Sequence, residues 1–113
     1  MLHFVHPTRR GDGVPRGALH AAGDGRWRLG GEVDLTTAEA LEVALSALPV
    51  GQELHLDLAE LAFIDVRGTR TLVAAAARLA PEHRLVLHDP PAGLQRILEV
   101  CWPDAAGLEV VAA

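Results

Sequence analysis

The run LHLDLAELAFIDVRGTRTLVAAAARLA, residues 54–80, constrains the fold more than any other part of the chain. It opens with strict alternation. Leu54, Leu56 and Leu58 point one way while His55 and Asp57 point the other, which is the period-two signature of a half-buried strand. The strand continues through Phe63 and Ile64, and after Asp65 the period changes. Leu72, Val73, Ala76 and Leu79 then recur at helical spacing, so a second helix is predicted over about Arg67–Ala80, closed by Pro81 and Glu82. A strand that turns directly into a helix commits the chain to an α/β architecture.

The remainder fits that frame. ALHAA and RWRLGGEV flank Gly23–Asp24–Gly25 in the pattern of a β-hairpin, with Trp27, Leu29, Gly31 and Val33 on one face. TTAEALEVALSAL reads as a first helix. Its Thr36 and Glu39 have capping-box spacing, Leu41, Leu45 and Leu48 line its buried face, and Pro49 to Gly51 end it. RLVLHD is the next strand. PAGLQRILEVC is a third helix with Leu94, Ile97, Leu98 and Cys101 at core spacing, and GLEVVA is a last short strand. Strand–helix–strand crossovers require parallel pairing, so the expected fold is a mixed, mostly parallel β-sheet with helices packed on one side.

Residues 1–17 differ from this pattern. PTRRGDGVPRG is rich in Gly, Pro and Arg and lacks periodicity, so the segment reads as an extension or linker before a domain spanning 18–113. At 113 residues the chain holds one hydrophobic core. All ten basic residues are arginine, as a GC-rich coding sequence produces. With a net charge of −5 spread along the chain there is no basic block to displace counterions from phosphates, which argues against direct nucleic-acid binding. No apolar run approaches a membrane span, and the N-terminus lacks the pattern of a secretion signal, so a cytoplasmic location is the expectation.

Chemistry-bearing residues are sparse. Cys101 is the only cysteine and occupies an apolar helix position, as a core thiol does. The six histidines are scattered, and only His3 and His6 have ligand-like spacing, so neither a metal nor another cofactor is expected. Ser46 is the only serine and lies inside the first helix. No nucleophile with a paired base, phosphate-binding glycine loop or paired-carboxylate cleft stands out, and an enzyme is not expected.

LGGEVDLTTAEAL, LHLDLAELAFIDVRGTRTLV, RLVLHDPPAGLQRILEV and the terminal GLEVV, in that order and spacing, resemble the STAS domain over about residues 18–111. This module is shared by anti-sigma factor antagonists and the cytoplasmic tails of sulfate transporters. The resemblance to the antagonists implies a partner, an anti-sigma factor that is a serine kinase of the histidine-kinase-like ATPase type, whose capture frees a sigma factor for transcription. It also implies a switch: the kinase phosphorylates a serine directly after the Asp that ends the third strand, and the phosphorylated form no longer binds. Carried over residue by residue, the Asp is Asp65, the serine falls on Val66, the next small hydroxyl residue on Arg67 and the glycine on Gly68. Valine accepts no phosphoryl group, so this chain departs from the pattern at its regulatory position.

The resemblance thus implies a docking face of Asp65, Val66, Arg67, Gly68 and Thr69, joined by Asp34 at the end of GEVD. Each residue also has a plainer role. Asp65 is placed to cap the second helix, and Asp34 to cap the first or end a solvated strand. Gly68 allows close helix–sheet packing. Thr69 is an exposed first-turn threonine or a displaced phosphosite, and Arg67 and Arg70 either meet an acidic partner surface or keep the helix soluble. Two other functions compete with anti-sigma factor binding: sensing of a small ligand (a nucleotide or lipid) over the same turn, and a scaffold subunit within a larger regulatory assembly.

Overall fold

The computed structural model describes residues 19–21 and 26–111; the segment 1–17, the hairpin turn Gly23–Asp24–Gly25, and His3 and His6 lie outside them. The elements run β1 (Leu19–Ala21), β2 (Trp27–Leu29), β3 (Gly31–Val33), α1 (Ala38–Ser46), β4 (Leu54–Asp57), β5 (Leu61–Ile64), α2 (Val66–Leu79), β6 (Leu85–His88), α3 (Ala92–Cys101) and β7 (Leu108–Val111). A five-stranded sheet has the order β1-β2-β4-β6-β7, and β3 and β5 form a two-stranded ribbon. Among the described residues only the β1–β2 pairing is antiparallel; β2–β4, β3–β5, β4–β6 and β6–β7 are parallel. The expected mixed, mostly parallel sheet is therefore present.

Its helices cover one face. Leu54 and Leu56 of β4, Leu85 and Leu87 of β6, and Leu29 of β2 share one buried cluster with Leu41 and Leu45 of α1, Leu72, Ala76 and Leu79 of α2, and Leu94 and Leu98 of α3. The alternate strand residues lie on the opposite face, which no described helix covers; on this helix-free face His55, Asp57 and His88 are half-buried and Val86 is buried. Leucine, valine and alanine fill the core almost alone, and the small alanines let α1 and α2 pack closely on the sheet.

Two predicted strands are each split in two. RWRLGGEV breaks at Gly30, after which Gly31 adopts a positive φ of 83° that suits glycine. ELHLDLAELAFID breaks at Leu58–Glu60, where Leu61 N–H donates to the Leu58 carbonyl (3.0 Å) and Ala59 N–H to Asp57 Oδ1 (2.9 Å). The two interruptions are level with each other, since Gly31 N–H donates to the Glu60 carbonyl at 3.1 Å. Both strands leave the main sheet together and re-pair as β3–β5. Period-two alternation carries no mark of such a paired break, which is why one long strand was expected in each place.

The start of α1 also differs from expectation. Thr37, not Thr36, precedes the first helical residue, and no side-chain cap bond forms there, so the Thr36–Glu39 capping box is absent. Asp34 organises the turn instead. Its carbonyl accepts from Thr37 N–H (3.1 Å) and Ala38 N–H (2.9 Å), and its Oδ1 accepts from Thr36 N–H (2.9 Å) and the Thr36 hydroxyl (2.7 Å). An Asp side chain that accepts two residues ahead makes its own turn and outcompetes the threonine. At the far end of α3 the apolar stripe is set one residue late: Cys101 is exposed, and Trp102 packs against the core in its place. The helix ends at Cys101, and the backbone of Trp102 (φ −138°, ψ 60°) turns out of helical geometry, re-aiming the two side chains.

Candidate functional site

The β3–β5 ribbon delivers the two candidate carboxylates to one end of the molecule. Val33 pairs with Ile64, and Asp65 N–H donates to the Val33 carbonyl at 3.0 Å, so the chain exits β3 into Asp34 beside the point where it exits β5 into α2. Asp65 caps α2 as its spacing predicts: its backbone is extended, and its Oδ1 accepts from Gly68 N–H at 2.9 Å. The carboxylate thereby occupies part of the N-terminal amide array that an anion would otherwise use.

Gly68 is held by packing. A Cβ at this position would lie 2.5 Å from Val33 Cγ1 and 2.7 Å from Ile64 Cγ1, well inside van der Waals contact. The first turn of α2 therefore rests directly on the ribbon, and Gly68, being buried, lies beneath the surface of the turn and forms no part of it. Thr69 is fully buried, with its hydroxyl donating to the Asp65 carbonyl at 2.9 Å. This corrects the exposed-threonine alternative. The signal was missed because a threonine that bonds back to the carbonyl four residues earlier satisfies its own polarity and packs like valine.

What remains at the surface is apolar and cationic. Val66 is 51% exposed, Phe63 of β5 52% and Leu35 of the β3–α1 turn 68%. Arg67 and Arg70 are exposed beside them, and neither has an ion-pair partner among the described residues. Leu35 and Phe63 were not anticipated. Phe63 is one of two exposed residues between buried Leu61 and Ile64, and Leu35 lies in the turn after Asp34, so neither placement follows from strand alternation; both depend on the ribbon leaving the helix-covered sheet.

A second polar cluster lies on the helix-free face of the main sheet. His55 Nδ1 and His88 Nε2 are 2.8 Å apart, their rings stacked at 5.0 Å between centroids, and His55 Nε2 is 3.0 Å from Glu53 Oε1. Because Glu53 accepts, a neutral His55 carries its proton on Nε2, leaving Nδ1 to accept from His88 Nε2–H. Arg28 pairs with Asp57 at 3.4 Å, and Arg84 reaches both Glu53 (3.5 Å) and Glu109 (2.9 Å). Burial first, then Arg26 and His55, holds the His88 pKa below its ordinary value, against the opposing pull of Asp57 and Asp89. Two histidines that look scattered in the sequence meet because β4 and β6 are sheet neighbours. No group of three or more His, Cys, Asp or Glu among the described residues is arranged to hold a metal ion.

A family model described as Mlab, STAS domain, matches residues 19–108, which is most of the chain and nearly all of the described fold. The chain belongs to the STAS domain family. A comparison with curated proteins returns no match. Membership points to a regulatory or interaction module, in keeping with a surface whose distinctive feature is exposed apolar residues. No helix among the described residues of this STAS domain is long and apolar enough to cross a membrane.

Proposed function

We propose that this STAS domain is a non-catalytic protein–protein interaction module of the anti-sigma factor antagonist type. Its partner is an anti-sigma factor that is a serine kinase of the histidine-kinase-like ATPase type. The observation that carries the proposal is the exposed trio Leu35, Phe63 and Val66 around the capped start of α2. Three large apolar side chains at one end of a small domain stabilise a protein interface when covered and contribute nothing to folding when exposed.

The same turn carries no accessible serine or threonine hydroxyl at the family's regulatory position. Val66 has none, and that of Thr69 is buried. Binding is accordingly constitutive with respect to phosphorylation of this position, and control passes to another level, such as synthesis or an attached domain.

The test is calorimetric titration of the protein with the anti-sigma kinases of its source organism. Saturable binding by one of them, lost in Phe63→Glu and Val66→Glu and retained in Arg84→Gln on the helix-free face, is the expected result. Binding unaffected by the two apolar-to-charged substitutions would place the interface elsewhere.

A further inference from the structure

The outward faces of α1 and α2 carry opposite charge, and neither is neutralised among the described residues. α2 contains no acidic residue, and its exposed side bears Arg67, Arg70 and Arg78. α1, packed beside it, contains no basic residue, and its exposed side bears Glu39 and Glu42. None of these five residues has an ion-pair partner among the described residues. By contrast Arg28 and Arg84, outside these helices, are paired. At about 100° per residue, Arg70 and Ala74 lie near the centre of the α2 outward face, and Glu39 and Val43 near that of α1. Val43 is 46% exposed and Ala74 is exposed, so each charge stripe is interspersed with small apolar side chains.

We infer that the α1–α2 face is a two-fold self-association surface, whose occupant is a second copy of this chain. A two-fold axis brings the α2 of one copy against the α1 of the other, and the same contact repeats in reverse. Adjacent stripes of opposite sign are what such a surface requires: every arginine stripe meets a glutamate stripe, and the small apolar side chains among them are covered by the second copy. A partner bearing only acidic residues would leave Glu39 and Glu42 facing like charge, so the second copy satisfies both helices where a uniformly acidic surface satisfies one. The face of two short helices is small, and exposed ion pairs are individually weak, so the dimer is populated only at about 100 µM and above. The inference does not rest on the anti-sigma factor reading, although Arg67 and Arg70 also border the proposed docking turn.

Sedimentation equilibrium of the full chain tests the inference, over about 5 µM to 1 mM. The 12.0 kDa monomer is expected to give way to a dimer across that range. The double variants Arg70→Glu/Arg78→Glu and Glu39→Arg/Glu42→Arg, with circular dichroism confirming that each is folded, are expected to weaken self-association by about tenfold or more. An equimolar mixture of the two variants restores association as a heterodimer, because each supplies the charge the other lacks on both helices. A chain that stays monomeric throughout the range, a dimer indifferent to both reversals, or reversed variants that fail to associate with each other would overturn the inference.

Discussion

At the start of α2, Leu35, Phe63 and Val66 hold large apolar side chains in water around one capping carboxylate, whereas on the helix-free face of the main sheet the polar side chains are paired strand to strand. The first region is rigid beneath and unsatisfied above: Asp65 and Thr69 close their hydrogen bonds inward, Gly68 presses the helix on the ribbon, and the apolar groups are left uncovered. The second satisfies itself. His55 has a partner on each ring nitrogen, and Arg84 bridges Glu53 of the β4 side to Glu109 of β7. Polar groups that are paired within the chain have little left to offer a partner, whereas exposed apolar groups gain by being covered. The difference is in keeping with the proposal that the turn serves recognition while the sheet face serves stability.

Substitutions that break the rigid base of the turn have the largest expected effect. Gly68→Ala drives a methyl into Val33 and Ile64, and about 1–3 kcal/mol of stability is lost by urea unfolding. Asp65→Ala removes the cap bond to Gly68 N–H and lowers stability by about 1 kcal/mol, while Asp65→Asn, which still accepts, retains most of it.

The sheet face responds to pH instead. His88 titrates below its ordinary value of 6.5 in the folded protein, so between the two values the unfolded chain binds more protons. Its contribution is complete above 6.5 and is lost as pH falls through 6.5 toward the lowered folded value. Denaturation midpoints measured at about pH 7.5 and pH 5.5 are expected to diverge more in the parent than in His88→Gln. An equal divergence would remove the histidine pair from the account of stability. The smallest effect on folding belongs to Val66→Glu, which changes stability by no more than about 0.5 kcal/mol because the side chain is exposed and an acid suits a helix N-terminus. Its docking defect is therefore separable from any folding defect.

How far the sequence discloses this contrast depends on the range of the interaction. Asp65 as a cap and Gly68 as a close-packing residue were legible because capping and helix–sheet contact are local, set within four residues. The mostly parallel sheet was legible from the alternation of strand and helix periods. The paired break of β2–β3 and β4–β5 was not, since it depends on Gly31 and Glu60 meeting across 29 positions, and with it went the outward placement of Leu35 and Phe63. The meeting of His55 and His88 depends likewise on sheet order. Cys101 and Thr69 were misplaced for a local reason: helical spacing does not register a backbone that turns out at Trp102, or a hydroxyl that bonds back to Asp65.

The claim that joins these points is that the 65–71 turn docks a kinase-type anti-sigma factor without a phosphorylation switch. It is tested most directly by incubating the protein with its bound anti-sigma kinase and ATP, then locating any phosphate by peptide mass spectrometry. The account predicts no phosphate on any residue from Asp65 to Thr71 and an unchanged affinity after incubation. Phosphate on Thr69 or Thr71, accompanied by release of the kinase, would contradict it.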